Sequence, residues 1–458
     1  MLQRDLRAQY FVAFVATFGS FVFGTSGGWP SPVLPQLRNS FTHGGLDMNE
    51  ASESWVGGLM PVGALVGGPV AGVLVDLIGR KHTMLVTAVL FSLSYPVLVI
   101  SPSITLVYCG RASTGVCTGM ASLVCPLYVA ETARPDVRGY LGSWVQLMVT
   151  VGVLASYSLG AIVTWRWLSV ICIAFSLIWT CILLLIPETP SYQVTKGFES
   201  DAKASLTWLR GAEDQRDVLE ELEDVKESVI LASSNKSGFT IIFERTTVIP
   251  LMIGLLLMFA QQFSGISVVI CYTDEIFADA GSSLPVSAQT IVIGGAQVVA
   301  TFIGALLMDR LGRRFLLLLS SIVMVVSICM LGTFFFIKHN LNDIELADKL
   351  SILPIVALSV YIAAFSIGLG PIPWLMMSEL FSPSARGLAS SIVVCSNWSL
   401  CFITIKFFPG LKLLIGMAIT FWALGAILML STVLIFLIVP ETKGKSLEEI
   451  QRLFDPNS

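Results

Sequence analysis

The sequence has little charge: Asp, Glu, Lys and Arg make up 13% of its 458 residues, whereas soluble proteins average about 25%. Only three histidines occur, all in segments that we read as loops, so a buried histidine proton relay is not expected. No pair of the nine cysteines has CxxC spacing, which favours packing roles over disulfides or a metal site. The net charge of −4 by itself says nothing about nucleic acid, and because the basic residues form no patch we expect no nucleic-acid partner. We expect no metal and no cofactor.

The chain is rich in apolar sequence instead, with 55% hydrophobic residues and a mean hydropathy of +0.81. Its long uncharged runs can each cross about 30 Å of hydrocarbon as a helix. They lack the alternation of a membrane β-barrel. The first run is too long for the core of a signal peptide, so we expect it to stay as a span. Twelve spans are predicted, over residues 10–28, 53–75, 83–100, 104–129, 139–163, 166–186, 248–277, 286–308, 315–337, 350–379, 387–408 and 413–439.

The positive charges are distributed unevenly between the two sides of this topology. If the N-terminus is cytoplasmic, 20 of the 27 Lys and Arg residues lie on that side, six lie outside and Arg111 falls within a span. Positively charged loops stay in the cytoplasm. The sequence therefore predicts that both termini are cytoplasmic.

One long polar stretch, 190–245, separates two sets of six spans. Apolar residues at helical spacing between 213 and 229 predict short amphipathic helices there, although a solvated linker would have a similar composition. A further short helix is predicted over 446–453 with Ser446 as its N-cap. The predicted organisation is an N-terminal six-helix half 1–189, a cytoplasmic linker 190–245, a C-terminal six-helix half 246–442 and a short cytoplasmic tail 443–458.

Three charged features occur twice in the chain, in the same order. In each copy an Asp precedes a Gly and two cations, a Glu precedes Arg-Gly by seven residues, and a Pro-Glu-Thr closes the last helix. The first copy comprises Asp76, Arg80, Lys81, Glu131, Arg138 and Glu188, and the second Asp309, Arg313, Arg314, Glu379, Arg386 and Glu441.

This repeat in so apolar a chain predicts a duplicated membrane transporter whose two halves rock against each other. Carboxylates and cations at the inner helix ends would form salt bridges that set the balance between two conformations. The alternative is that the cations only enforce topology.

Seven motifs along residues 10–453 point to one protein family. They are Asp76 with Gly79-Arg80-Lys81, Gly110-Arg111 with Gly115 and Gly119, Glu131 with Arg138-Gly139, Pro187-Glu188-Thr189-Pro190, Gln261-Gln262 with Ser264-Gly265-Ile266, Gly370-Pro371-Ile372-Pro373-Trp374, and Pro440-Glu441-Thr442-Lys443-Gly444. With these motifs the chain resembles the sugar porters of the major facilitator superfamily, most closely the insect trehalose-transporter-like group.

The resemblance implies an all-α membrane protein in the major facilitator fold. That fold has twelve transmembrane helices in two pseudo-symmetric six-helix halves, with short cytoplasmic helices. It also implies a transporter, not an enzyme, that carries trehalose or a hexose. The plasma membrane is the default location, and an internal organelle is the alternative.

A sugar site needs paired donors and acceptors and an aromatic face, without net charge. Polar side chains in lipid-spanning helices are costly unless they are paired, so each is a functional candidate. Hydrogen bonding between helices is the alternative use. The candidates are Gln146, Gln261, Gln262, Ser267, Gln297, Trp374 and Asn397, and the resemblance implies sugar contacts at the positions of the Gln, Asn and Trp residues.

Two prolines and two serines modify this prediction. Pro371 and Pro373 lack backbone N–H groups, so they should interrupt the tenth helix near the candidate site. Ser267 replaces the family's usual Asn and leaves room for a different cargo. Ser366 stands where many members have Glu, which removes a carboxylate linked to conformational change.

Proton coupling is not expected. Proton-coupled family members carry an Asp in the first helix, where this chain has Ser26. Arg111 alone cannot release protons, because the pKa of a guanidinium is too high. We therefore predict passive uniport by alternating access. Two alternatives stay open: a transporter-like sugar sensor, and a uniporter of a polyol or another small organic solute.

Overall fold

The computed structural model describes residues 6–38, 48–134, 136–212, 218–234, 243–281, 284–341, 344–382, 385–443, 445, 449–450 and 454. Secondary structure in these ranges is helical. The α-helices are α1 Arg7–Gly28, α2 Pro30–Arg38, α3 Glu50–Ile78, α4 Arg80–Val99, α5 Ile104–Thr132, α6 Arg138–Gly160, α7 Trp165–Leu183, α8 Pro190–Thr195, α9 Glu199–Arg210, α10 Leu219–Ser234, α11 Arg245–Phe263, α12 Ile266–Ala280, α13 Val286–Leu311, α14 Arg313–Phe335, α15 Ile344–Lys349, α16 Leu353–Ile367, α17 Ile372–Leu380 and α18 Arg386–Ile438.

Eleven helical runs of the described residues are long and apolar enough to cross a membrane. The last of them, α18, has 53 residues and contains both the eleventh and the twelfth predicted spans. At about 1.5 Å per residue it is about 80 Å long, more than twice the hydrocarbon thickness. Gly416 breaks it with a positive φ of 82°, a conformation that glycine adopts readily. That the chain crosses the membrane twelve times stays a prediction. The break at Gly416 favours it, because it divides α18 into two parts.

Three predicted spans have a more complex course than a single helix. The first continues past a turn at Trp29 into α2, where the sequence suggested a loop. The seventh divides at Gly265, which has φ 92°, into α11 and α12, and α12 is kinked at Tyr272. The tenth is interrupted between α16 and α17, at the position of the two prolines.

Helices α3 and α5 pack with their backbones in direct contact. A Cβ atom placed on Gly67 would come closer than 3.0 Å to the carbonyl oxygen of Val116, and one on Gly115 would meet that of Met60 in the same way. Small residues permit this approach between membrane helices, where dispersion forces replace the hydrophobic effect. The packing explains why glycines recur along both helices.

Helices α8, α9 and α10 lie in the predicted linker. Ala202, Leu206, Val218 and Leu222 form a small buried cluster among them. Arg210 joins this unit to α5, because it pairs with Glu221 at 2.6 Å and donates a hydrogen bond to the carbonyl of Thr132 at 3.0 Å. The domain boundaries and the cytoplasmic position of the linker stay predictions. Of the predicted tail helix, only residues 449–450 are among the described residues.

The helical bundle has two ends, the turn end and the far end. The turn end carries Gly79 and Gly312, the glycines of the repeated cationic turn. The far end is the opposite one and carries Arg38 and Lys412. The first helix group is α1–α7, and the second is α11–α18.

Candidate functional site

Gln261 joins three helical segments at the centre of the second group. Its side chain lies near the end of α11 and is 3% exposed. The amide nitrogen donates to the carbonyls of Leu369 and Gly370, both at 2.9 Å. The amide oxygen accepts a hydrogen bond from Asn397 Nδ2 at 2.8 Å. Both predicted residues therefore form helix–helix hydrogen bonds, which was the alternative to direct cargo contact.

Gln262, the next residue, is arranged differently. Its oxygen accepts a 2.6 Å hydrogen bond from the hydroxyl of Ser267, and that hydroxyl accepts one from the Cys401 thiol at 3.4 Å. Within the described part of the chain, the amide nitrogen of Gln262 has no hydrogen-bond partner. Ser267 thus orients the amide. Gln262 retains two N–H groups that can donate hydrogen bonds to a ligand.

The buried polar atoms that lack hydrogen-bond partners among the described residues include the side-chain oxygen of Gln297 and the indole nitrogen of Trp398. Buried polar atoms are nearly always hydrogen-bonded in native proteins, so both are available to a polar ligand. The Trp398 ring lies 6.2 Å from the Phe23 ring of α1, between their centroids, so the two helix groups meet beside it. Trp398 is not among the cargo candidates named from the sequence, although its position next to Asn397 was the available signal.

Trp374 and Gln146 take no part in these hydrogen bonds among the described residues. Trp374 is half-buried and packs on a cluster that includes Met258 and Met377. Met258 is also the residue whose sulfur accepts from Asn397 at 3.2 Å. Gln146 is half-buried on α6, and in the described residues no hydrogen bond joins it to the other amides. The structure thus groups Gln261, Gln262, Ser267 and Asn397 directly, and Trp374 through Met258.

At the turn end, Glu188 caps the start of α4. Its carboxylate accepts from the backbone N–H groups of Arg80 and Lys81 at 3.0 Å. Gly79 has φ 93°, and a Cβ there would collide with this carboxylate. The Arg80 guanidinium instead pairs with Glu131 at 2.8 Å. Glu188 therefore binds mainly peptide N–H groups, where the sequence analysis predicted a salt bridge with a cation.

The second group repeats this arrangement. Glu441 accepts from the backbone N–H groups of Arg313 and Arg314 at 3.0 Å, and Gly312 has φ 91°. Arg313 pairs with Glu379 at 3.1 Å. Each Glu lies at a helix N-terminus, where peptide dipoles stabilise a negative charge.

The ionised form of Glu441 is favoured at this position. Burial alone would raise its pKa, but hydrogen bonds from the backbone N–H groups of Lys443, Arg313, Arg314 and Thr442 outweigh that effect and lower its pKa below the ordinary value. A carboxylate with a lowered pKa stabilises the fold at neutral pH, and this stabilisation is lost as the pH falls through that pKa.

Other members of the repeat do not form charge pairs in the described residues. Arg138 and Arg386 each donate to a backbone carbonyl five residues earlier, at 3.4 Å and 3.3 Å. Arg314 donates to the carbonyl of Phe436 at 2.5 Å. Asp76 is exposed, and Lys81 contributes its backbone N–H to Glu188. The side chain of Asp309 lies outside the described part of the structure.

The far end carries a charge network that the sequence analysis did not predict. Arg38 of α2 binds Glu53, which is 1% exposed, and reaches Glu275 of the second group at 3.2 Å. Lys412 binds Glu275 at 2.7 Å and Asp279 at 2.8 Å. The five side chains alternate in sign and connect the two helix groups.

Further hydrogen bonds reinforce closure of the far end. The hydroxyl of Tyr157 donates to the carbonyl of Ile270 at 2.8 Å. Ser31 donates to the carboxylate of Asp274 at 3.0 Å and accepts from its backbone N–H at 3.1 Å. Each bond joins the first group to α12, so the far end is closed in this structure.

We expect Glu275→Gln to weaken this closure, because the amide cannot pair with Arg38 and Lys412 as a carboxylate does. Partly exposed ion pairs contribute about 1 kcal/mol each, so the far end should open several-fold more often. The rate at which a polar maleimide modifies Cys271 reports this opening, and peptide mass spectrometry measures the modification at that residue. Cys271 is buried and lines the cavity beside Arg38 and Glu275.

Glu345→Gln is the matched control, since Glu345 pairs with Lys349 at 2.7 Å on an exposed surface. It should leave Cys271 labelling unchanged. An equal labelling rate in wild type and Glu275→Gln would contradict a role of this network in closure.

Arg111 is a buried cation that binds peptide carbonyls. It is 1% exposed and donates to the carbonyls of Ser26 and Val56, each at 3.0 Å, while its guanidinium lies over the Trp29 ring. The Ser26 carbonyl lacks its usual helical donor because residue 30 is proline. Within the described residues, no carboxylate pairs with Arg111.

The chain is similar to several characterised proteins. The family described as "Sugar (and other) transporter" matches residues 12–454. A facilitated trehalose transporter homologue, Tret1-2, from Drosophila simulans is 39% identical over 97% of this chain and 90% of the relative. The facilitated trehalose transporter Tret1 from Polypedilum vanderplanki is 40% identical over 97% of this chain and 87% of the relative.

Solved structures have the same fold. The proton:xylose symporter XylE bound to 6-bromo-6-deoxy-D-glucose superposes with a TM-score of 0.79 at 25% identity, covering 98% of this chain and 99% of that one. The inward-open xylose transporter XylE from E. coli superposes with a TM-score of 0.81 at 24% identity, covering 98% of this chain and 100% of that one.

Proposed function

Because the chain belongs to the sugar (and other) transporter family, we propose that it carries a small sugar, trehalose or a hexose, passively across a membrane by alternating access. Membership of this family confirms the resemblance drawn from the motifs. It also makes the chain a multi-pass membrane protein with a transport function, not an enzyme.

The observation that carries the proposal is an uncharged hydrogen-bonding site where the two helix groups meet. Gln262 offers two N–H groups beside Ser267, and the unpartnered indole N–H of Trp398 lies next to Phe23 of the first group. Sugars are recognised by neutral donors and acceptors together with aromatic faces. The names of the similar insect proteins support trehalose as the first cargo to test.

Passive transport is supported by the surroundings of Arg111. A proton-coupled carrier needs an ionisable group whose protonation changes during the cycle. Here the partners of Arg111 are the carbonyls of Ser26 and Val56 and the ring of Trp29, and none of these titrates near neutral pH. This arrangement favours uniport, in contrast to the proton coupling of the solved proton:xylose symporter.

The uneven distribution of Lys and Arg supports an orientation with both termini and the turn end in the cytoplasm. In this orientation the closed far end faces outward. The plasma membrane is the proposed location.

The test is uptake of radiolabelled trehalose or glucose into proteoliposomes that contain the purified protein. We expect saturable uptake and counterflow of one of these sugars, and an uncoupler should not change the initial rate. Abolition of uptake by the uncoupler would overturn uniport. Uptake of a polyol with no uptake of either sugar would move the cargo assignment to that class, and no uptake of any solute by folded protein would favour the sensor alternative.

A further inference from the structure

Arg111 carries a positive charge into the buried interior of the first helix group, where no carboxylate among the described residues pairs with it. Its Nε and Nη1 atoms donate to the carbonyls of Val56 and Ser26, each at 3.0 Å. These carbonyls are neutral, so they solvate the guanidinium without cancelling its charge. Glu53, about one turn before Val56 on α3, is bound by Arg38 instead. A charge inside a membrane protein is costly unless it is compensated, so Arg111 calls for a counter-ion.

Two buried hydroxyl groups near Arg111 also lack partners. The side chains of Tyr95 and Ser26 are 0% exposed, and neither Tyr95 Oη nor Ser26 Oγ forms a hydrogen bond among the described residues. Tyr95 is close enough to Arg111 to interact with it electrostatically, and Thr25 and Ser26 are its hydroxyl neighbours. The Thr25 hydroxyl is already used, because it donates to the carbonyl of Val22 at 2.7 Å. Buried polar atoms are nearly always hydrogen-bonded, so the two remaining hydroxyls indicate a partner that the chain itself does not provide.

The guanidinium keeps further donors for such a partner. An arginine side chain has five N–H groups, and the bonds to Val56 and Ser26 use only Nε and Nη1. In the described residues no hydrogen bond of Nη2 occurs. The Trp29 ring covers one face of the guanidinium, with its centroid 5.2 Å from Arg111 Cζ. A further ligand of Arg111 therefore approaches in the plane of the guanidinium, where its N–H groups point.

The chemistry of these groups selects a small anion. A guanidinium is a donor only, and a hydroxyl whose oxygen accepts nothing can turn its O–H toward an acceptor. A water molecule would satisfy the hydroxyls but would leave the charge of Arg111 uncompensated. The surroundings are tightly packed, because Trp29, Tyr95 and Cys172 are each at most 1% exposed. A single-atom anion fits such a place better than a carboxylate or a phosphate, whose charge is spread over several atoms.

We propose that Arg111, Tyr95 and Ser26 form a binding site for one chloride ion, the counter-ion of Arg111. These residues lie on α5, α4 and α1, so the ion joins three helices of the first group. The site goes beyond the proposed function: the chloride is a resident ligand, and its binding does not depend on which solute is carried. Chloride does not titrate near neutral pH, so the site is also compatible with passive transport.

The first test follows the melting temperature of the purified protein in detergent. Sodium chloride replaces sodium gluconate at constant ionic strength, and gluconate is too large for the site. A ligand that binds only the folded state raises the melting temperature in a saturable way, so chloride should raise it by several degrees. Bromide, a spherical anion of similar size, should do the same. Equal melting temperatures in chloride and gluconate would overturn the proposal.

Conservative variants locate the binding. Tyr95→Phe and Ser26→Ala each remove one hydroxyl, and hydrogen bonds to an ion are among the stronger ones. The chloride concentration at half-maximal stabilisation should therefore rise about tenfold in each variant. Tyr128→Phe is the matched control, because this buried tyrosine of α5 donates to the carbonyl of Pro187 at the turn end. It should leave that concentration unchanged. An unchanged value in both Tyr95→Phe and Ser26→Ala would place the anion elsewhere and refute the site.

Ser26→Asp tests the counter-ion role itself. The new carboxylate lies on the residue whose carbonyl already binds Arg111, so it supplies a permanent negative charge in place of chloride. The melting temperature of this variant should be the same in chloride and in gluconate. Crystals of the wild type grown with bromide should show anomalous density beside Arg111. A chloride response of wild-type size in Ser26→Asp, or bromide density only at other places, would contradict the proposal.

Discussion

Gly67→Ala is expected to prevent α3 and α5 from packing and to abolish transport. The new Cβ would collide with the carbonyl oxygen of Val116, a backbone atom that cannot rotate away. Overpacking in a well-packed core costs about 1–3 kcal/mol, and relief here requires two whole helices to separate, so we expect the upper end of that range. The measurement is the melting temperature in detergent, together with the initial uptake rate.

Gly68→Ala provides a control one residue away. A Cβ atom at Gly68 would meet nothing within 4 Å, so the variant should keep both its melting temperature and its uptake. Similar stability of Gly67→Ala and Gly68→Ala would show that the contact between α3 and α5 can relax, contrary to this prediction.

Gln262→Ala is expected to weaken cargo binding strongly. The substitution removes two N–H donors from a buried site and leaves any sugar hydroxyl that accepted from them without a partner. A loss of about 2 kcal/mol is expected for such a change, which corresponds to about a 30-fold increase in the apparent KM. Uptake measured over a range of sugar concentrations gives this value directly.

Two variants define the cause of that effect. Ser267→Ala should have a smaller effect in the same direction, because the Gln262 amide stays present but loses the hydroxyl that orients it. Gln289→Ala, a buried glutamine that donates to Leu284 O at 2.8 Å, should leave KM unchanged. A KM for Gln262→Ala equal to that of Gln289→Ala would remove Gln262 from the cargo site.

The sequence alone determined the membrane class, most helix positions, the repeat and the family. These properties depend on local patterns: the length of uncharged runs, the spacing of charges and the short motifs. The interruption at Pro371 and Pro373 belongs with them, because a proline lacks its N–H in any tertiary context. The course of α2 and the joining of the last two spans in α18 were not predicted, because glycine and proline permit a turn without specifying its geometry.

Only the tertiary structure decided which polar groups hydrogen-bond to each other and which keep unpaired donors or acceptors. Gln261 and Gln262 are neighbours of identical chemistry, yet one saturates its amide at a helix break and the other keeps its N–H groups open. Likewise, Glu188 and Glu441 cap helix N-termini, although the sequence suggested salt bridges.

The charge network between Arg38 and Glu275 spans 237 positions in the chain. Its formation depends on how the two helix groups approach each other, and no local pattern encodes that distance. The sequence therefore determined which residues enter the membrane and which family they belong to, whereas the three-dimensional packing determined which polar atoms are satisfied and which stay available to cargo.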